Sequence, residues 1–202
     1  MNKGRLFVIS GPSGTGKGTI CKELIKDDKI RLSVSMTTRN PREGEVHGVS
    51  YYFATKEEFL QKIEAGGFLE HAEVFGNYYG TPKMEVLELL DEGIDVLLEI
   101  DVQGALQIKE VYPEAVLVFI LPPSQEELRN RLSGRGTETP DVVERRLGEA
   151  AKEISFVNQY DYAVVNDDLE EAIDNVKSVI KASHFGVTKD IDNIVKQYEE
   201  EM

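Results

Sequence analysis

One cysteine and no tryptophan occur among 202 residues. The lone thiol, Cys21, excludes an internal disulfide and a multi-cysteine zinc site and agrees with a reducing compartment; its expected place is a small buried side chain. No apolar run approaches the roughly 18 residues needed to cross a bilayer, which excludes a membrane-spanning protein. The first five residues are followed by only Leu6-Phe7-Val8-Ile9 before Ser10-Gly11. That run is too short for the apolar segment of a signal peptide and lacks its cleavage pattern, so the expected location is the cytoplasm. Basic charge is scarce, with 23 Lys and Arg against 37 Asp and Glu and a net charge of −14. A field of that sign repels polyanions and excludes general nucleic-acid binding. The arginines nevertheless cluster, at Arg5, between Arg31 and Arg42 and between Arg129 and Arg146, which calls for a local anion. The three histidines, His47, His71 and His184, lack metal-ligand spacing.

What is present is the composition of an ordinary globular protein, 41% hydrophobic and 30% charged, long enough to bury a core. Four short apolar runs, 6–9, 96–100, 115–121 and 162–165, alternate with segments of helical spacing at about 17–27, 84–92, 103–111, 124–132, 141–156 and 169–184. This alternation predicts an α/β fold with a mostly parallel sheet. Pro82, Ser124 with Glu127 and Pro140-Asp141 mark helix starts. Residues 33–81 differ: short aromatic runs and one helix near 56–65 read as a small mixed α/β insertion. The expected organisation is therefore a core of 1–32 and 82–187, an insertion at 33–81, a polar lid near 133–140 within the core, and a helical tail at 188–202.

Directly after the first run lies Gly11-Pro12-Ser13-Gly14-Thr15-Gly16-Lys17-Gly18-Thr19, the spacing of a phosphate-binding P-loop. Its glycines let backbone N–H groups curl around phosphate oxygens, the following helix offers its positive end, and Lys17 reaches the terminal phosphates. Gly18 stands where Ser or Thr usually contributes a magnesium ligand, and Thr19 follows. Gly-Lys-Gly-Thr resembles the form found in nucleoside monophosphate kinases. A second anion site is suggested by Arg39 and Arg42, three apart, with Tyr51 nine residues on. Guanidinium forks and a phenol suit a phosphate dianion, although a surface salt-bridge pair accounts for the same residues.

From the P-loop to Asn166-Asp167, about four-fifths of the chain, the sequence resembles the guanylate kinase family. The resemblance rests on Thr37-Thr38-Arg39 leading through Arg42, Gly44-Glu45 and Gly48 to Tyr51-Tyr52-Phe53, and on Gly67-Phe68-Leu69-Glu70-His71-Ala72. It rests further on Gly76-Asn77-Tyr78-Tyr79-Gly80-Thr81, on Glu99-Ile100-Asp101-Val102-Gln103-Gly104, and on Arg135-Gly136-Thr137-Glu138-Thr139 leading to Arg145-Arg146-Leu147.

The resemblance implies a P-loop three-layer core, with transfer of the ATP γ-phosphoryl group to GMP in the presence of Mg2+. It implies that Arg39, Arg42, Tyr51 and Tyr79 hold the GMP phosphate, while Ser35, Glu70, Thr81 and an acid from the Glu99 and Asp101 pair read the guanine. Arg131 and Asn166 would meet the adenine of ATP, and Arg135 and Arg146 would close over the transferring group with Lys17 and Arg42. Magnesium would sit near Thr19, Glu99 and Asp101, through water where not direct. Chemistry supports the guanine assignment, because N1–H and the N2 amine are adjacent donors that one carboxylate accepts together, whereas adenine offers an acceptor at N1. Glu99 and Asp101 alternate in what reads as one strand, so their carboxylates are expected on one face, with Glu99 interrupting a buried run and needing compensation. The family often has Asp at the position of Glu99, so this chain departs there in reach.

Two alternatives carry different predictions. A guanylate-kinase-like binding module without activity usually loses the P-loop lysine or the lid arginines, all of which stand here. A kinase for AMP, UMP or thymidylate would share the P-loop but not Ser35 and Glu70.

Overall fold

The computed structural model describes residues 3–74, 76–134, 139–186 and 189–200. Its centre is a five-stranded sheet in which every pairing is parallel. The strands are β1 (Leu6–Ser10), β2 (Ile30–Leu32), β7 (Asp95–Glu99), β8 (Val116–Leu121) and β9 (Tyr162–Val165), in the order β2-β7-β1-β8-β9. Alternation along the middle strand supplies both faces of the core. Phe7 and Ile9 pack with Ile20, Cys21 and Leu24 of α1 (Lys17–Leu24) and with Ala172, Val176 and Ile180 of α7 (Leu169–Ser183). Leu6 and Val8 pack on the other side against Val86 and Leu90 of α3 (Lys83–Asp91) and Ala105 and Ile108 of α4 (Val102–Val111). Both faces are covered, as a parallel sheet requires.

A second sheet lies within residues 36–82, in the order β4 (Tyr52–Phe53), β3 (Met36–Thr37), β6 (Asn77–Pro82), β5 (Phe68–Val74), with α2 (Lys56–Glu64) against it. Phe59 of α2 is fully buried and stacks on Phe68 at 4.5 Å between ring centroids. Thr55 and Glu58 start that helix with a reciprocal capping box. A third apolar cluster, Leu128, Leu132, Val143, Leu147 and Ala150, joins α5 (Gln125–Ser133) to α6 (Pro140–Ile154). The helix starts read from Ser124 and Pro140 stand as read: Ser124 accepts from the Glu127 N–H, and Pro140 opens α6. Residues 189–200 form α8.

The structure departs from the sequence reading at three places. β2 and β5 were not anticipated from their mixed composition. Glu99 and Asp101 do not share a strand: β7 stops at Glu99, and Asp101 caps α4 by accepting the Gly104 N–H at 2.9 Å. Glu99 is exposed at the strand end, so it interrupts no buried run and needs no compensation. Arg135, with residues 136–138 of the stretch expected as a lid, lies outside the described residues.

Candidate active site

The carboxyl end of the parallel sheet is where β1 gives way to the phosphate loop. Thr15 ties the loop internally by donating its hydroxyl to the Pro12 carbonyl at 2.8 Å, and its own carbonyl accepts the Asn166 side-chain amide at 2.8 Å. Gly16 holds φ +88°, and a Cβ there would stand 2.4 Å from Asn166 Nδ2, so both the conformation and the close approach demand glycine. Among the described residues, α1 begins with neither a side-chain cap nor an acid in its first turn. The positive end of α1 therefore remains available to an anion. Lys17 Nζ donates to the carbonyls of Gly11 and Pro12, which folds the ammonium over the loop. From α6, Arg146 reaches across to Ser13 Oγ at 2.7 Å.

These groups border a cavity of about 330 Å3 that extends from the loop to the second sheet. Gly11, Ser13 and Lys17 form one end; Ser35, Tyr51, Glu70 and Tyr79 form the other; Glu99, Asp101 and Glu153 lie among them in its lining. The carboxylate of Glu70 is buried, and its Oε1 accepts the Thr81 hydroxyl at 2.7 Å. Burial pushes its pKa to about 7; the Thr81 hydrogen bond opposes that rise and the Asp101 charge adds to it. Gly104 at the start of α4 makes room, because a Cβ there would come 2.8 Å from Glu70 Oε2.

Arg39 is held rigidly beside this end. Its NH2 donates to Glu45 Oε1 and Oε2 at 2.8 and 3.0 Å, and its guanidinium lies 5.5 Å from the centre of the Tyr51 ring. Tyr51 and Tyr79 meet edge to face at 6.1 Å. Glu45 also accepts the Arg42 N–H at 2.7 Å, so one carboxylate fixes both arginine positions. The Arg42 side chain is exposed and outside the cavity lining.

The structure thus brings together Ser35, Tyr51, Glu70, Tyr79, Glu99 and Asp101 with Gly11, Ser13 and Lys17, and sets Thr81 directly behind Glu70. Pro12, Gly14, Thr15, Gly16, Gly18 and Thr19 complete the loop and first turn. Arg131 and Asn166 stand apart from the lining: Arg131 Nε pairs with Glu127 at 2.8 Å, and Asn166 is buried against the loop. Two residues went unassigned in the sequence, Glu45 and Glu153. Arg146 and Glu153 are seven apart on α6, and that spacing was the available signal for Glu153; Glu45 carries no signal before the loop is folded.

A cationic loop end and a polar second end joined by one cavity at the switch edge of a parallel sheet define the class: a P-loop α/β protein built to hold two phosphate-bearing ligands. The family model for guanylate kinase matches residues 3–183. A guanylate kinase of Clostridium tetani is 57% identical over 195 residues, covering 96% of this chain and 94% of that protein. One of Clostridioides difficile is 51% identical over 203 residues, covering 100% and 99%. A crystal structure of guanylate kinase from Anaplasma phagocytophilum superposes with a TM-score of 0.76 at 40% identity, covering 92% of this chain and 89% of that one. The chain belongs to the guanylate kinase family.

Proposed function

We propose that the chain transfers the γ-phosphoryl group of ATP to GMP, giving ADP and GDP. The observation that carries this reading is the buried Glu70 and Thr81 pair in the same cavity as the P-loop lysine. Ionised Glu70 accepts two adjacent donors at once, which guanine offers and adenine, cytosine, uracil and thymine do not present in that arrangement. Tyr51, Tyr79 and Arg39 then face the monophosphate, Arg42 reaches it from outside the cavity lining, and Glu45 keeps the Arg39 side chain oriented before the substrate arrives. The loop and α1 receive the ATP phosphates.

Phosphoryl transfer asks a protein mainly for alignment and charge neutralisation. Lys17, held on the Gly11 and Pro12 carbonyls, and Arg146, on Ser13 Oγ, supply positive charge at the loop, and the GMP phosphate oxygen itself is the nucleophile, so no general base is needed. The binding-module alternative gives no use to these two cations. Magnesium fits the oxygen-only donors Thr19, Glu99 and Asp101, and Glu99 lies closely over the first turn of α1, 3.4 Å from where a Cβ on Gly18 would be. Among the described residues no three acidic, His or Cys side chains are grouped to grip an ion directly, which suits a metal that keeps much of its water. When bound, the metal neutralises charge developing between the terminal phosphates. We assign the reaction to the cytoplasm; no described helix is long and apolar enough to cross a membrane.

The test is ADP production from Mg·ATP with GMP, AMP, UMP and dTMP side by side. Turnover on GMP alone is expected. Turnover on another nucleotide overturns the Glu70 assignment, and none on any of them overturns the enzymatic reading.

A further inference from the structure

Glu153 has no part in the mechanism above, yet its carboxyl lines the cavity together with Lys17, Glu99 and Asp101. It stands two turns after Arg146 on α6, so one helix face delivers a cation to Ser13 and an anion to the neighbouring wall. The carboxyl is half-buried, and burial raises its pKa; the Lys17 charge counters that rise, and the charges of Asp101 and Glu149 add to it.

A phosphate site gains nothing in bare anion affinity from carboxylates in its wall. Three of them, Glu99, Asp101 and Glu153, face a ligand that carries four negative charges without a metal and two with one. Their repulsion falls hardest on the metal-free form. Glu99 and Asp101 are accounted for as neighbours of the metal, whereas Glu153 reaches the cavity from a different helix, beside Lys17.

We propose that Glu153 is a specificity residue that makes the site discriminate against metal-free nucleoside triphosphate in favour of its magnesium complex. The inference rests on the reading that the P-loop end takes ATP. It gives α6 two opposed roles, since Arg146 attracts the triphosphate and Glu153 penalises it until a divalent cation has covered its charge.

The experiment is isothermal titration calorimetry of the full chain with ATP, without GMP, once in EDTA and once in excess Mg2+. Glu153→Gln should tighten metal-free ATP about fivefold while changing Mg·ATP less than about twofold, the effect of removing one charge at the edge of a solvated site. Glu153→Asp, which keeps the charge, should retain the wild-type ratio between the two affinities. Should Glu153→Gln fail to fold, Glu153→Ala reads the same ratio. An unchanged ratio in the neutral variants, or equal weakening of both forms, overturns the inference and leaves the ATP reading intact. Wild-type protein that binds ATP in neither condition overturns both.

Discussion

The Thr81 hydroxyl donates a 2.7 Å hydrogen bond to Oε1 of Glu70, whose carboxylate is otherwise cut off from solvent. Hydrogen bonding from Thr81, through its hydroxyl and its backbone, is too little to offset the desolvation of an anion, which is why the pKa rises from 4.5 to about 7. A carboxyl with a raised folded-state pKa binds its proton more readily folded than unfolded. Its charge therefore costs stability increasingly as pH rises from the unfolded value to the folded one, and fully above it. Glu70→Gln keeps an acceptor for Thr81 and removes that cost. We expect it to stabilise the unliganded protein by up to about 3 kcal/mol at pH 8, with the gain shrinking as pH is lowered toward 5. Urea unfolding at both pH values checks this. The same variant should lose about 10²-fold or more in kcat/KM for GMP, since an amide offers its NH2 where a second acceptor is needed.

The pH dependence of substrate use follows from the same group. Only ionised Glu70 accepts both guanine donors, and in the free enzyme its proton competes with GMP below about pH 7. The KM for GMP should rise about tenfold per pH unit well below that point, with KM for Mg·ATP changing much less. In Glu70→Gln the GMP dependence should flatten. Steady-state kinetics from pH 5.5 to 8.5 with each substrate varied in turn makes the comparison.

Glu45 holds Arg39 through two hydrogen bonds and holds Arg42 through its backbone N–H. This pair raises the Arg39 pKa and lowers that of Glu45, chiefly through their mutual hydrogen bond. Glu45→Ala frees the Arg39 side chain to sample other rotamers and takes the partner from the Arg42 N–H, so GMP meets a phosphate site that must be ordered on binding. The expected result is a rise of about tenfold in KM for GMP with KM for ATP unchanged, because the residue touches neither the loop nor Lys17. Equal effects on both substrates would mean that Glu45 supports the fold and not the acceptor site.

Asn166 lies at the end of β9, and its amide donates to the Thr15 carbonyl across 151 positions of sequence. It is buried, and it sits so close over Gly16 that a side chain there would collide with its amide. Asn166→Ala removes the donor and leaves the Thr15 carbonyl without that partner in a dry setting, costing about 1–3 kcal/mol. The loop should loosen with it, raising KM for ATP more than KM for GMP. Thermal unfolding together with the two KM values separates this outcome from a direct contact of Asn166 with adenine, which would raise KM for ATP without the loss of stability.

The core was legible because Leu6–Ile9, Val96–Leu98 and Leu117–Ile120 are continuous apolar runs, the pattern of strands buried on both faces; Tyr162–Val165 reads the same way but forms the edge strand β9, where only Val164 is buried. β2 was not, since Ile30-Arg31-Leu32 is three residues long and borrows its stability from pairing with β7. β5 reads Phe-Leu-Glu-His-Ala-Glu-Val, and the buried acid that obscures the strand is Glu70 itself, polar because the site requires it. The alternation of Glu99 and Asp101 suggested a continuing strand, but Asp101 spends an oxygen on starting α4, a local hydrogen bond that outweighs one more sheet residue. The candidate site followed from six motifs spread along the chain, from the P-loop to Arg146, whose residues converge in the fold. Glu45 was not legible because its bond to Arg39 exists only in the folded loop, and Glu153 had only its seven-residue spacing from Arg146 on α6 to single it out.

The central claim is that Glu70 reads two guanine donors and so selects the acceptor. The most direct measurement is kcat/KM of the wild-type protein for GMP, IMP and AMP at pH 8 with saturating Mg·ATP. IMP keeps N1–H and lacks the N2 amine, so it should fall about 10- to 10²-fold below GMP, and AMP, with an acceptor at N1, should fall further still. IMP equal to GMP, or AMP equal to IMP, would contradict the account.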